Sequence, residues 1–164
     1  MYLKNTLCQL TVIGLMVALI SGCQSGPSKK MVRSDIPLTT IPTGTFVEPP
    51  AEYRMVFQPI LFDYDKSSIR TDMQPALRKI AQWLNIHTKV RLRIEGHCDE
   101  RGTEEYNLGL GERRALSVRR FIIDQGIDPT RTTTVSYGEE RPANSDHNEI
   151  AWAENRRVEF KLAQ

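Results

Sequence analysis

Residues 90–95 alternate with a period of two. Val90, Leu92 and Ile94 share one side, and Arg91, Arg93 and Glu95 share the other. That pattern is a strand with one wet face and one buried face, so an apolar layer must cover it. The layer follows in the chain. After a polar stretch, residues 96–105, the side chains Leu110, Ala115, Val118 and Ile122 fall on one face of a long helix. Gly126 supplies its C-terminal stop, with Pro129 just beyond. A second helical set, Met73, Leu77, Ile80, Ala81 and Leu84, lies upstream, with Thr71 or Asp72 as cap and Pro75 in its first turn. The apolar run 55–62 predicts an opening strand in spite of Pro59, and residues 132–137 a third. Residues 157–162 predict a closing strand that alternates Val158, Phe160 and Leu162 with Arg157, Glu159 and Lys161. The order β-α-β-α-β-β predicts an α/β two-layer sandwich with helices on one face of a mixed sheet.

Upstream of residue 51 the chain has a different character. Residues 1–22 hold one early cation, Lys4, then an apolar stretch ending at Ile20, too short to span a bilayer comfortably. The string Leu19-Ile20-Ser21-Gly22-Cys23 resembles the lipobox of bacterial lipoproteins. The resemblance implies cleavage after Gly22, acylation of Cys23, and, with Gln24 rather than Asp following, sorting to the outer membrane. Single acyl chains bind marginally, at about 0.8 kcal/mol per buried methylene, whereas several together hold essentially permanently. Residues 23–50 carry Pro27, Pro37, Pro42, Pro49 and Pro50 among Ser, Thr and Gly, with no apolar periodicity. They read as a flexible tether with a typical span of about 30 Å and a full reach of about 90 Å. Residues 51–164 form the predicted folded domain.

Charge and cysteine content narrow the function classes. A net charge of +2 gives no reason to expect nucleic-acid binding. Cys8 leaves with the signal and Cys23 goes to lipid, so Cys98 stands alone and no intramolecular disulfide is expected.

The stretch Gly96-His97-Cys98-Asp99-Glu100-Arg101-Gly102-Thr103-Glu104-Glu105-Tyr106-Asn107, continuing through Leu110-Gly111-Glu112-Arg113-Arg114-Ala115, resembles the signature of OmpA-like peptidoglycan-binding domains. Leu61-Phe62-Asp63-Tyr64-Asp65-Lys66-Ser67 and Asn155-Arg156-Arg157-Val158 fit the same family, in the same order. His97, the Leu110–Ala115 string, Val135-Ser136-Tyr137-Gly138 and the lipobox-plus-linker layout resemble most the lipid-anchored members that work in the Tol-Pal system. The resemblance implies a periplasm-facing, outer-membrane protein that binds the diaminopimelate group of peptidoglycan without covalent attachment. It also implies partnership with TolB and other Tol proteins, and a part in envelope integrity and division. Asp99 is implied to meet the ligand's ammonium and Arg114 its carboxylate, chemistry that suits an anion and a planar, bidentate cation. Asp63 and Asn107 are implied as further peptidoglycan-binding residues. Asn107 reads equally as loop support or as an ordinary first-turn polar residue, and Asp63 equally as a turn residue. Arg156 and Arg157 are family marks with structural or supporting roles. The plainer alternative for Asp99 and Arg114 is an internal ion pair. Cys98 departs from the Ala or Thr usual in the family and reads as a small apolar packing residue.

Two rival classes make different demands on these residues. An enzyme would need His97, Cys98, Asp99 and Glu100 to converge, but successive residues point apart, and His87 and His147 join no ligand pattern with them. No nucleophile elbow or His-Glu-x-x-His helix is present. No enzyme activity, cofactor or metal is therefore expected. The second rival is a wall-anchoring lipoprotein of the same family without a Tol partner.

Overall fold

The computed structural model describes residues 44–163. The expected signal, the expected acylation site Cys23 and the expected tether up to residue 43 lie outside the described residues. The chain folds as a four-stranded sheet in the order β1-β4-β2-β3, with β1 at Ile60–Leu61, β2 at Arg91–His97, β3 at Thr132–Gly138 and β4 at Arg157–Ala163. β2 and β3 run parallel, and β4 is antiparallel to both β2 and β1, so the sheet is mixed. Val47 bridges to Leu162 and extends the sheet's contact with the N-terminal segment.

Helices α1 (Gln74–Ile86) and α2 (Glu104–Asp124) bury their apolar stripes on one sheet face. Leu77, Ile80 and Leu84 of α1 and Ala115, Val118 and Ile122 of α2 meet Leu92 and Ile94 of β2 and Val158, Phe160 and Leu162 of β4 in one core. The cross-strand pairs Leu92–Leu162 and Ile94–Phe160 fix the register. A one-residue slip would turn every one of these side chains to the wet face. The expected two-layer architecture is what forms.

Four local expectations differ. Of the run 55–62, only Ile60–Leu61 is strand. A 3₁₀ turn occupies Ala51–Tyr53, and the amides of Val56 and Phe57 bond back to the Tyr53 carbonyl. That turn carries Phe57 into the core, while Pro59 has no N–H to offer a ladder. α1 has no side-chain cap, because Thr71–Met73 winds as a 3₁₀ turn before it and the Asp72 carboxylate pairs with Arg70 at 2.7 Å instead. β2 continues through Gly96 and His97, which pair with Val158 of β4 and Gly138 of β3 respectively. A third helix, α3 (Glu149–Asn155), precedes β4. Its N-cap, Asn148, accepts the Ala151 amide, and it buries Ala151 and Asn155.

Candidate functional site

The turn from β2 into α2 builds the site. Thr103 caps α2 by accepting the Tyr106 amide at 3.2 Å, so the loop before it is pinned at one end by a helix and at the other by a strand. Asn107, buried in the first turn, braces that loop from beneath. Its Nδ2 donates to the carbonyls of Asp99 (3.2 Å) and Arg101 (3.3 Å) and to Glu139 Oε2 (2.5 Å). Of the two readings held for Asn107, loop support is the one its contacts bear out.

β2 and α2 then approach to backbone distance. Gly96 faces Gly111 so closely that a Cβ on Gly96 would lie 2.0 Å from the Gly111 carbonyl oxygen. This close seam puts Arg114, one turn farther along α2, under the end of β2.

Arg114 is 1% exposed, the largest of the fully buried side chains. Its Nε donates to the Lys66 carbonyl at 2.9 Å, Nη1 to the His97 carbonyl at 2.9 Å and the Cys98 Sγ at 3.4 Å, and Nη2 to the Asp63 carbonyl at 3.1 Å. Its guanidinium carbon stands 5.3 Å from the Phe62 ring centre. A guanidinium has five N–H donors, so these four bonds leave one Nη2 N–H for something else. Burial pulls its pKa down, but the group stays cationic.

Asp99 is 4% exposed. Its Oδ2 accepts from Arg101 Nη2 at 2.7 Å and Arg156 Nη1 at 3.2 Å, and its Oδ1 from the Arg101 amide at 3.2 Å. Burial raises its pKa. The Arg101 and Arg156 hydrogen bonds outweigh burial and hold the carboxyl below its usual range. The described residues show no Asp99–Arg114 ion pair, so the plainer alternative does not describe this molecule. The two groups instead line one cavity of about 130 Å³, shared with Tyr64, Asp65, Cys98, Arg101, Gly102, Tyr106, Asn107 and Leu110. Asp63 holds Arg114 through its backbone carbonyl. Its carboxylate turns to Lys66 (3.2 Å) and Arg70 (3.8 Å), away from the lining.

Cys98 is buried, and its thiol donates to the Asn107 carbonyl at 3.2 Å. Burial pushes its pKa up to about 11, which leaves a neutral, poorly nucleophilic sulfur. Packing, with a hydrogen bond added, is its role here.

Sequence reasoning missed the group that closes the site. Arg101 lies between the rings of Tyr64 (4.1 Å) and Trp152 (4.3 Å) while it grips Asp99. Trp152 belongs to α3 and donates its indole N–H to Glu100 at 2.8 Å. Arg156, just past α3, donates Nε to the Phe62 carbonyl and Nη2 to Glu149, as well as Nη1 to Asp99. The only signal in the sequence was Arg101 standing two residues after Asp99; its aromatic partners come from 37 residues before and 51 after.

Comparison with known proteins bears on the family and the fold. The peptidoglycan-associated lipoprotein of Mesorhizobium japonicum is 49% identical over 104 residues, which is 63% of this chain and 62% of that protein. Its counterpart in Pseudomonas aeruginosa is 48% identical over 100 residues, 61% of this chain and 59% of that protein. The matched region thus spans under two thirds of the curated relatives' length. Among solved structures, the peptidoglycan-associated lipoprotein from Burkholderia pseudomallei superposes with a TM-score of 0.63 at 39% identity, covering 64% of this chain and 89% of that one. The C-terminal domain of Helicobacter pylori MotB shares the fold, at a TM-score of 0.61 and 23% identity over 65% of this chain and 84% of that one. Proteins of this kind are non-enzymatic, and among the described residues no helix is long and apolar enough to cross a membrane. The family model matches residues 61–156, the stretch that runs from the last residue of β1 through the Asp99 loop and Arg114 to Arg156, and the chain belongs to the OmpA family.

Proposed function

We propose that this chain is a lipid-anchored outer-membrane protein that holds peptidoglycan non-covalently by the diaminopimelate group of the stem peptide. The carrying observation is that a buried carboxylate and a buried guanidinium, from different elements, line the same small cavity without pairing to each other. A free ammonium and carboxylate on one carbon is the zwitterion such a pair suits. Asp99 takes the ammonium and the remaining Nη2 N–H of Arg114 takes the carboxylate. Asn107 contributes by bracing the loop, and Asp63 through its carbonyl on Arg114. Arg101 sits over Asp99 as a latch that the incoming ammonium displaces. Lipid on Cys23 fixes one end of the protein and the tether gives reach. Weak grips at many copies add up, because tethering raises the effective ligand concentration. The names of the relatives support this reading, as does the lipobox.

The same resemblance supports a Tol-Pal role, with TolB and other Tol proteins as partners in envelope integrity and in drawing the membrane inward at division. Co-purification of a Tol protein with the full chain from solubilised envelopes tests that part. Its absence both with and without wall digestion favours a wall anchor that works alone.

The site is tested by pelleting the full chain with purified peptidoglycan. Losing one member of a desolvated charge pair costs about 2–5 kcal/mol, so Asp99→Asn is expected to weaken retention at least about thirtyfold; because Arg101 and Arg156 also lose their carboxylate, retention is measured well below the variant's own melting temperature. Undiminished pelleting of a folded Asp99→Asn protein rejects the assignment.

A further inference from the structure

The sheet face turned away from the helices holds a second cluster, separate from the wall site. Glu95 and His97 stand two residues apart on β2, and Glu159 of β4 is the direct cross-strand partner of Glu95. One ligand atom from each residue lies within 4.8 Å of the other two. Carboxylates placed directly opposite on paired strands repel. More telling is His97. It is 2% exposed, and neither ring nitrogen has a hydrogen-bond partner. A buried imidazole ordinarily satisfies at least one nitrogen. Among the described residues the ring stacks on Tyr137, 5.5 Å between centroids, with its nitrogens beside two acidic groups.

We propose that Glu95, His97 and Glu159 form a zinc site that clamps β2 to β4 behind the wall-binding loop. One imidazole and two carboxylates are a donor set suited to this borderline divalent ion. Zinc bonds of about 2.0–2.2 Å in a tetrahedron separate ligand atoms by about 3.3–3.6 Å. Side-chain rotation of the two glutamates closes the present spacing to that range, and water fills the fourth position. Consecutive residues 97–100 point apart and make no site; alternate residues of a strand with a cross-strand neighbour do converge.

The surrounding cations set the cost. Arg93 reaches Glu95 at 2.6 Å, and Arg157 reaches Glu159 at 2.7 Å. Lys161 lies 3.5 Å from Glu159 and 3.9 Å from Glu95, and also pairs with Glu48. Arg141 sits on the far ring of the stack, over Tyr137. An arriving ion displaces Arg93 and Arg157 from the carboxylates. Arg93 is 26% exposed in its side chain and leans on the Phe46 ring, so it has solvent to turn into. Lys161 retains Glu48. The clamp also bears on the wall site, because the carbonyl of this same His97 holds Arg114.

The test uses the detergent-solubilised full chain, stripped with a chelator and titrated with zinc chloride alone by calorimetry and thermal unfolding. Cobalt(II), read by its visible absorption, reports coordination. One equivalent is expected to bind, with a Tm rise on the order of 10 °C at a hundredfold excess over Kd and a four-coordinate cobalt spectrum. His97→Gln and Glu159→Gln are each expected to weaken binding at least tenfold, while His147→Gln, whose ring pairs with Glu100 outside the cluster, leaves it unchanged. Glu159 is the more exposed of the ligands, so its variant stays readable if His97→Gln fails to fold. No binding up to 100-micromolar zinc (about that order, well above structural-site affinities) overturns the proposal. So does binding that survives Glu159→Gln, or that is lost instead in His147→Gln.

Discussion

Replacing Gly96 by Ala isolates the contact on which the site's geometry rests. The added Cβ would lie 2.0 Å from the Gly111 carbonyl oxygen, 2.6 Å from its carbon and 3.1 Å from its Cα. These are backbone atoms of α2, so no rotamer change relieves the clash. Separation to ordinary contact moves α2 off β2 by about 1 Å or more, against a core in which Ala115, Val118 and Ile122 have no exposed surface. Overpacking costs about 1–3 kcal/mol where side chains adjust, and occasionally more. With backbone on one side of the contact, a loss of about 3 kcal/mol or greater is expected. For a domain of this size that lowers Tm by about 10–20 °C. The same shift draws Arg114 from three carbonyls it now reaches at 2.9–3.1 Å, so wall retention should fall further than stability alone explains. Circular dichroism melts and pelleting of the full chain measure the two effects. Gly126 is the control: a Cβ there meets nothing within 4 Å, and its cost is only the strain of φ +93°, about 1–2 kcal/mol. A Gly96→Ala protein that melts within 2 °C of the parent (about 0.5 kcal/mol) refutes the close-seam reasoning.

Other outcomes follow from the same contacts. Arg114→Ala strands three carbonyls and the Cys98 sulfur, and is expected to cost about 3–5 kcal/mol in a chemical unfolding curve. Cys98, buried with its pKa near 11, should resist a thiol reagent at pH 8 in the native protein and react fully once denatured; comparable rates would contradict its burial. His147, exposed and bonded to the Glu100 carboxylate, has a raised pKa, principally from that hydrogen bond. Its small stabilisation is therefore present below the unfolded histidine value and lost as pH rises through the folded one. An NMR titration should place His147 above an ordinary histidine, and Glu100→Gln should bring it back.

The sequence made the layer architecture legible because periodicity is a local property. The alternation at residues 90–95 and the stripes of α1 and α2 each need only a few neighbours to declare themselves. Gly96 and His97 looked polar and loop-like, yet both sit in β2, since their ladder pairing is decided by Val158 and Gly138, 62 and 41 residues away. The run 55–62 misled in the opposite direction. Its apolar content serves the core, but Phe57 gets there on a turn. α3, only seven residues long, presents Ile150 to solvent and offers no stripe to read. That omission hid Trp152, and with it the aromatic sandwich that positions Arg101.

Asp99 and Arg114 were named from motif resemblance, but their different standing within the fold was not readable from sequence. Arg114 is a cross-link. It ties the segment after β1, through Asp63 and Lys66, to the end of β2, through His97, and only one of its N–H groups is left over. Its charge has no carboxylate in direct contact; three carbonyls, the Cys98 sulfur and the Phe62 ring hold it, and Asp99 and Asp65 act on it only through space. A group held that way has no directly paired anion, which is the condition under which a ligand carboxylate gains most from it. Asp99 is the reverse case, with two arginines already on it. Its ligand must compete, and Arg101, the more exposed of the two, is the one able to yield. The binding proposed for this site is therefore an exchange at the aspartate and an addition at the arginine. For that reason a folded Asp99 variant reports on recognition, whereas loss of retention in an Arg114 variant reports first on the fold.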